Sequence, residues 1–205
     1  MTTATRTRPI VFSAPMVRAI LEGRKTQTRR VVSPQPPPDA VWGENQAQQI
    51  DRFGRVVFPC YPHGQPGDRL WVRETWATTE QSGDHPNDAY VVYRATDPDW
   101  ETMEGWRWRP PIFMARSASR ITLELTGVRV ERVQDITTAD VTVEGVDNGN
   151  SNPAMGKRWE NMQRMAFESL WDSLNAKRGH PWASNPWCWV LNFKVIKPQE
   201  ASHAR

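Results

Sequence analysis

Two long runs of strand-forming residues in the second half of the chain place the strongest constraint on its fold. Residues 120–133 carry aliphatic side chains interleaved with Thr, Arg and Glu around a lone Gly127, and residues 187–196 form a second run near the end. Interleaving with a period of two is typical of a half-buried strand. A single glycine inside such a run indicates a β-bulge more than a hairpin turn. We therefore expect a fold centred on a sheet.

Helix signals are few. Ser13 and Pro15 favour the start of a short helix, and Gly23 is suited to ending it. Thr137 and Asp140 have the spacing of a capping box, which predicts a second helix that ends at Gly145. A third, amphipathic helix is predicted over residues 159–175. The apolar residues of its expected buried face are Met162, Met165, Ala166, Leu170 and Leu174.

The remaining strand signals are local and separate from the helices. The further predicted strands are residues 9–12, 31–32, 70–76 and 90–94, with a possible hairpin at 53–58. This order excludes a repeated βαβ chain and predicts a mostly β, α+β fold, namely a small mixed or antiparallel β-barrel with short helices. We expect one domain over residues 9–198. The predicted loop insertions are 33–64, 77–110 and 147–160, and the predicted flexible tails are 1–8 and 199–205.

Composition narrows the class of protein. The chain has 205 residues, two cysteines and a net charge of +3, which predicts a reducing compartment and permits a nucleic-acid partner. Residues 1–9 lack the apolar core of a signal peptide, and no run is long enough to cross a membrane. We expect a cytoplasmic protein. Cys60 and His63 are a lone ligand pair, so we expect no metal and no other cofactor.

Residues 23–30 are the strongest candidate for a catalytic or ligand-binding segment. They hold Lys25, Thr26, Thr28 and three arginines between a predicted helix and a predicted strand. Such a cluster suits an anionic or polar ligand, although charge runs are often only solvated. Like charges on the three arginines should lower the pKa of Lys25 and so make it available as a base or nucleophile. The three arginines are Arg24, Arg29 and Arg30.

A second candidate region is the predicted strand 70–76. Its alternation places the Glu74 carboxylate on the same face as Leu70, Val72 and Trp76, which makes it a candidate, although for a carboxylate we expect exposure at a sheet edge. We therefore consider a wider set of residues as candidates for binding a substrate or a nucleic acid. They are Arg24, Thr26, Arg29, Arg30, Arg73, Glu74, Trp76 and Tyr93.

The order of these features resembles the ASCH family, a branch of the PUA-like barrels. Four stretches carry the resemblance, and two others are similar to ASCH proteins of bacteriophages and prophages, which would place this protein in a bacterial host cell. The four are residues 20–30, residues 66–68 before a strand, the strand and short helix that end at Glu144, and residues 189–196. The two others are residues 71–76 and 185–187.

Some compact bacterial ASCH proteins are amidohydrolases that remove the acetyl group from 4-acetylcytidine with a Lys, a Thr and a Glu. Lys25, Thr28 and Glu144 fall on those positions. The resemblance thus implies an amidohydrolase acting on a modified cytosine nucleoside or nucleotide. The alternatives are a non-catalytic module that binds RNA, DNA or a modified base, and a nuclease. The acyl group, the choice between nucleoside and polymer, and the oligomeric state stay open.

The chemistry of amide hydrolysis agrees with these residue types. The reaction needs a nucleophile, a base to activate it and an acid for the leaving amine. Thr28 is suited to the first role, a Lys25 of lowered pKa to the second, and a partly buried Glu144 to the third. The deciding observation is whether the three side chains converge within hydrogen-bond reach of one another in one pocket.

Overall fold

The computed structural model describes residues 5–36, 41–42, 49–50, 56–58, 62–78, 91–97, 107–146 and 153–196. The strands are β1 (Thr7–Val11), β2 (Gln27–Val31), β3 (Val41–Trp42), β4 (Gln49–Ile50), β5 (Val56–Phe58), β6 (Arg69–Arg73), β7 (Trp76–Thr78), β8 (Val91–Tyr93), β9 (Thr122–Arg132) and β10 (Trp187–Ile196). The α-helices are α1 (Ala14–Leu21), α2 (Thr138–Val143) and α3 (Lys157–Asn175).

A mixed five-stranded sheet forms the centre of the molecule. Its strand order is β1-β6-β9-β10-β2, and two small sheets, β3-β4-β5 and β7-β8, lie outside it. β1 pairs with β6 in parallel, whereas the other pairs of the main sheet are antiparallel. The longest strands, β9 and β10, pair with each other at the middle. The predicted α+β class is therefore correct.

The predicted bulge at Gly127 is confirmed. β9 is one continuous strand, and its register with β10 shifts where Asn192 lies opposite Gly127 and Phe193 opposite Leu125. Thr126 is the extra residue. A Cβ atom at the adjacent Gly127 would lie 3.1 Å from Asn192 Nδ2, so Gly127 has little room for a side chain.

Each face of the sheet has its own apolar cluster. From β10, Trp189, Leu191 and Phe193 join the cluster that includes Val17 and Ile20 of α1. Cys188 and Val190, which point to the opposite face, join the cluster that contains Val141 of α2 and Phe167 and Trp171 of α3. The alternation of one strand thus places α1 on one side of the sheet and α2 and α3 on the other.

The predicted closed barrel is wrong for the part of the chain that the structure describes. β1 and β2 are the two edges of the sheet, and no backbone ladder joins them there. Arg30 of β2 instead donates from Nη2 to the backbone oxygen of Val11 in β1, at 2.9 Å. Among the described residues, a side-chain hydrogen bond thus connects the two edge strands where a closed barrel would have backbone pairing.

The buried face of α3 also differs from the prediction. Its buried residues are Gln163, Phe167 and Trp171, whereas Met165 is 66% exposed and Leu174 51%. The aromatic residues at i and i+4 fill the space beside Trp182, with the rings of Phe167 and Trp182 6.0 Å apart. Large aromatic side chains bury more apolar area than Met or Leu, so they set the orientation of the helix.

Several boundaries moved. β1 begins at Thr7, inside the predicted tail 1–8. β3, β4, β5 and β8 fall inside the predicted insertions 33–64 and 77–110, and β7 extends into the second of them. The predicted strand 70–76 is divided between β6 and β7 at residues 74–75. Of the predicted hairpin 53–58, residues 53–55 lie outside the described residues, as does the predicted tail 199–205.

The predicted helix starts have mixed outcomes. The capping box of Thr137 and Asp140 is present, with both reciprocal hydrogen bonds. Ser13 stands at the N-cap of α1 but makes no side-chain capping bond. Within the described residues, no helix combines the length and the apolar character needed to span a bilayer.

Candidate functional site

A cavity of about 590 Å³ lies beside the edge strand β2. The end of β1, the start of α1, the end of α2, the 3-10 turn Pro111–Phe113 and one side of α3 complete its wall. Five of the predicted site residues line this one cavity: Lys25, Thr28, Arg29, Arg30 and Glu144. Lys25, Thr28 and Glu144 share this cavity, but of the three only Lys25 and Glu144 are joined by a hydrogen bond among the described residues.

Local structure explains how Lys25 and Glu144 meet across the chain. α1 ends at Leu21 with Glu22 as its C-cap, and Gly23 follows in the left-handed conformation with a φ of 74°. The Lys25 amide then donates back to the Ala19 oxygen at 2.9 Å. The Thr26 amide donates to the Val143 oxygen at 2.9 Å, which ties this loop to the end of α2. Glu144 is the C-cap residue of α2, so it lies directly beside the loop.

Lys25 and Glu144 form a buried ion pair. Lys25 is 2% exposed and Glu144 5%. Lys25 Nζ donates to Glu144 Oε2 at 2.8 Å, to the Glu144 backbone oxygen at 2.7 Å and to the Gln27 backbone oxygen at 2.7 Å. A lysine ammonium has three N–H groups and no acceptor. All three are satisfied here, so the geometry is that of a charged Lys25.

Arg29 is the second cation on Glu144. Its Nη1 donates to Glu144 Oε1 at 3.1 Å and its Nη2 to Glu131 Oε2 at 2.9 Å, while Asp140 Oδ2 lies 3.4 Å away. Burial lowers the pKa of Arg29, but these carboxylates outweigh burial and hold the pKa above its ordinary value. Arg29 is thus an internal ion-pair residue rather than a free binding group.

The pKa of Lys25 is lowered, as the sequence predicted, but for a different main reason. Burial is the largest cause, Glu144 opposes it, and the charges of Arg30 and Arg29 add to the lowering. Arg24, the third predicted cause, is exposed and pairs with Glu22 on the surface. A low local dielectric, rather than the arginine run as a whole, determines the shift.

Thr28 is positioned separately from the ion pair. It is 2% exposed, and its Oγ1 accepts a hydrogen bond from Arg30 Nη1 at 2.8 Å. Among the hydrogen bonds of the described residues, none joins Thr28 to Lys25. The predicted trio therefore shares one cavity, with Lys25 and Glu144 in contact and Thr28 oriented by Arg30.

Glu74 belongs to a different, structural cluster. It is 1% exposed and accepts two hydrogen bonds from Arg120, at 2.9 and 3.0 Å. The Arg120 guanidinium lies 3.9 Å from the centre of the Tyr93 ring. Burial raises the pKa of Glu74, and Arg120 opposes the rise. The predicted edge exposure of Glu74 is wrong because this bidentate pair lets the carboxylate be buried.

The other predicted binding residues also lie outside the cavity lining. Trp76 packs with Met114 in a small apolar cluster, and Arg73 stacks on the Trp71 ring at 4.6 Å. Arg24 and Thr26 are exposed. Thr75, the neighbour of Glu74, lines the cavity instead.

The sequence analysis missed the α3 side of the cavity. Phe167 and Trp171 supply an aromatic wall, Asn175 an amide, and Arg178 a charge from the 3-10 turn Ala176–Arg178 that follows α3. Phe167 and Trp171 are four residues apart, and Asn175 and Arg178 follow Trp171 by about one and two helical turns. This spacing indicates that the four side chains lie on one face. Nothing in the sequence connects that surface with Lys25.

The described residues contain no group of three His, Cys, Asp or Glu side chains arranged to hold a metal ion. Cys60, half of the only predicted ligand pair, lies outside the described residues. Cys188 is buried, and burial raises the pKa of its thiol.

Gly145 allows the close approach of α2 to the loop that carries Lys25, and we expect Gly145→Ala to destabilise the protein more than Gly23→Ala does. Both glycines have a φ of 74°, so both substitutions incur the same left-handed strain of roughly 1–2 kcal/mol. A Cβ atom at Gly145 would also lie 2.8 Å from Lys25 Cβ and 2.9 Å from Ala19 Cβ, whereas one at Gly23 meets nothing within 4 Å.

Overpacking of this kind adds roughly 1–3 kcal/mol. Urea denaturation of the two variants measures the difference directly. Equal destabilisation would show that the Gly145 contact has no energetic weight.

The fold and the cavity define an α+β protein with a cavity that is cationic on one side and aromatic on another. No family model matches the chain, and no curated protein matches it. Among solved structures, a crystal structure of an ASCH domain from Lactobacillus crispatus JV V101 is similar, with 13% sequence identity and a TM-score of 0.39 over 93% of this chain and 79% of that one. That domain carries the family name that the sequence motifs suggested.

Proposed function

We propose that this protein is an amidohydrolase that removes an acyl group from the exocyclic amine of a modified cytosine nucleoside or nucleotide. The observation that carries the proposal is that Lys25, Thr28 and Glu144 line one cavity. Its volume lies within the range of roughly 300–1,000 Å³ that is usual for small-ligand sites. Phe167 and Trp171 offer apolar area against which a flat base can pack.

The buried ion pair supplies the acid and the base. Burial disfavours the charged form of Lys25 and lowers its pKa, which makes release of a proton from its ammonium easier. Transfer of one proton from Lys25 Nζ to Glu144 Oε2, which are 2.8 Å apart, gives a neutral amine and a neutral carboxylic acid. The amine is then the base, and the carboxylic acid is the proton donor for the leaving group.

In the first step the Thr28 hydroxyl attacks the acyl carbonyl carbon. Its proton passes to the Lys25 amine, and Glu144 gives its proton to the departing exocyclic amine. The C–N bond breaks, cytosine leaves with a free amine, and the acyl group stays on Thr28 as an ester. Lys25 is then an ammonium ion and Glu144 a carboxylate, which is the charge state that the hydrogen bonds in the structure describe.

In the second step a water molecule attacks the ester. Glu144 accepts a proton from the water, and Lys25 returns a proton to the Thr28 oxygen as the C–O bond breaks. The acyl group leaves as a carboxylic acid, and the neutral pair is restored. Arg30 supports both steps, because its hydrogen bond to Thr28 Oγ1 stabilises negative charge that develops on this oxygen.

A second candidate function is binding of a modified base without turnover. One observation favours it: Lys25 directs all three of its N–H groups at oxygen acceptors, and so has no lone pair for Thr28 in this arrangement. In that case the same cavity would hold the base, and the ion pair would be structural. No specific observation among the described residues favours a nuclease.

The test is incubation of the protein with 4-acetylcytidine, with chromatography to follow the appearance of cytidine and acetate. We expect time-dependent release of both. 4-Methylcytidine is the matched control, because it has a substituent on the same amine but no carbonyl to attack. Binding of 4-acetylcytidine without release would support the second candidate function. If 4-acetylcytidine is neither bound nor hydrolysed, both candidate functions are contradicted.

A further inference from the structure

We propose that the cavity contains an anion subsite between Arg30 and Arg178, which takes the phosphate of a nucleotide. The ligand is then a phosphorylated nucleoside rather than a neutral one. This inference deepens the proposed function, since it assigns the substrate class of the same cavity. The uneven charge around the cavity and its unused hydrogen-bond donors support the subsite. Binding measurements test it without turnover.

The charges that line the cavity do not balance. Four cationic side chains face one carboxylate, that of Glu144. Lys25 and Arg29 both contact Glu144, and Arg29 also pairs with Glu131 and Asp140 behind the cavity wall. Of the four cations, these two are therefore neutralised, and the excess positive charge lies on the other two, Arg30 and Arg178.

Neither Arg30 nor Arg178 pairs with a carboxylate in the part of the chain that the structure describes. Arg30 Nη1 donates to Thr28 Oγ1 and to the Arg29 backbone oxygen, and Nη2 donates once, to the Val11 oxygen. A guanidinium has five N–H groups, so Nε–H and one N–H of Nη2 remain unused. Arg178 has no hydrogen bond within the described residues, and it is exposed at the cavity rim.

The two guanidinium groups act on each other across the cavity. Burial lowers the pKa of Arg30, Glu144 opposes this effect, and the positive charge of Arg178 adds to the lowering. Like charges that line one cavity repel each other, and an anion bound between them offsets this repulsion. Ser13 lines the same cavity, and its hydroxyl makes no capping bond to α1, so it adds one more free donor.

A phosphate group fits this donor set best. Arginine recognises phosphate oxygens with paired N–H groups, and charge-assisted bonds of this type are stronger than neutral ones. The aromatic residues Phe167 and Trp171 line the same cavity, so a base and a phosphate can be held together. A ligand with both parts is a nucleotide.

Isothermal titration with cytidine 5′-monophosphate and with cytidine tests the subsite in the wild-type protein, Arg178→Ala and Lys177→Ala. We expect the monophosphate to bind roughly 10- to 100-fold more tightly than cytidine, as is usual for bonds to charged groups. Arg178→Ala should remove most of this difference by weakening the binding of the monophosphate. Lys177→Ala is the matched control, since it removes the same charge from an adjacent exposed residue that does not line the cavity.

Inorganic phosphate should compete with the monophosphate in the wild-type protein and lose this ability in Arg178→Ala. A short cytidine oligonucleotide distinguishes the source of the phosphate: tighter, Arg178-dependent binding of the oligonucleotide assigns the subsite to a nucleotide within a chain. Three results would overturn the proposal: equal affinity for the monophosphate and cytidine, equal loss in both variants, or no binding of the monophosphate at millimolar concentration. Absence of deacylation would contradict the proposed function alone.

Discussion

Replacing Thr28 by Val is expected to lower kcat for 4-acetylcytidine by about 10²–10⁴-fold while the fold is retained. The substitution removes the proposed nucleophile but keeps the shape of the side chain. The Lys25–Glu144 ion pair is not touched, because no hydrogen bond joins it to Thr28. Arg30 loses one acceptor and keeps its bonds to the Arg29 and Val11 oxygens. The measurement is steady-state kinetics, with thermal melting to verify folding.

Thr26→Val is the matched control for this experiment. Thr26 belongs to the same motif but is exposed and does not line the cavity, so its loss should leave turnover within a few-fold of wild type. Burst kinetics of the wild-type protein would additionally show whether an acyl group accumulates on Thr28. Similar rates for Thr28→Val and Thr26→Val would eliminate Thr28 as the nucleophile.

The largest effect on stability is expected from Glu144→Ala. This substitution leaves the Lys25 ammonium buried without its counter-charge, which typically costs about 3–5 kcal/mol. Glu22→Ala breaks the surface ion pair between Glu22 and Arg24, whose side chains are 52% and 48% exposed, respectively. This substitution should lower the free energy of unfolding by about 0–1 kcal/mol. Urea denaturation measures both variants under the same conditions.

A double variant separates the ion pair from the rest of the site. Lys25→Met with Glu144→Ala removes both charges, so its cost should be less than the sum of the single costs. A Glu144→Ala variant no less stable than Glu22→Ala would contradict the burial of the pair. Because Glu144→Ala is expected to lower stability by several kcal/mol, a fall in its turnover would also reflect unfolding. Thr28→Val is therefore the variant used to test catalysis.

Patterns confined to neighbouring residues were predicted well. The β9 strand with its bulge at Gly127, the capping box of α2 and the end of α1 before Gly23 all follow from local periodicity and turn chemistry. The same holds for the α+β class, which depends on the order of such elements. Each of these features has its sequence signal within a few neighbouring residues, although β9 itself is held by pairing with the distant β10.

Features that depend on distant partners were predicted poorly. Burial of Glu74 requires Arg120, which is 46 residues away in sequence, and the sequence pattern alone favoured an exposed carboxylate. The orientation of α3 depends on the space beside Trp182 rather than on the Met and Leu residues of its own pattern. The barrel prediction was wrong for the same reason. Closure requires the edge strands β1 and β2 to pair, and this depends on the curvature of the whole sheet rather than on a local pattern.

By itself the sequence determined the residue types at the candidate site, a lysine, a threonine and arginines in one short segment, and the segments that become strands and helices. Only the tertiary structure decided which of these charges are free. Arg29 becomes an internal ion-pair residue, and Arg178, which no motif marked, becomes an exposed cation at the cavity rim. The reason is physical: the state of a charged side chain depends on its desolvation and on partners brought from elsewhere in the chain, and neither is encoded in local spacing.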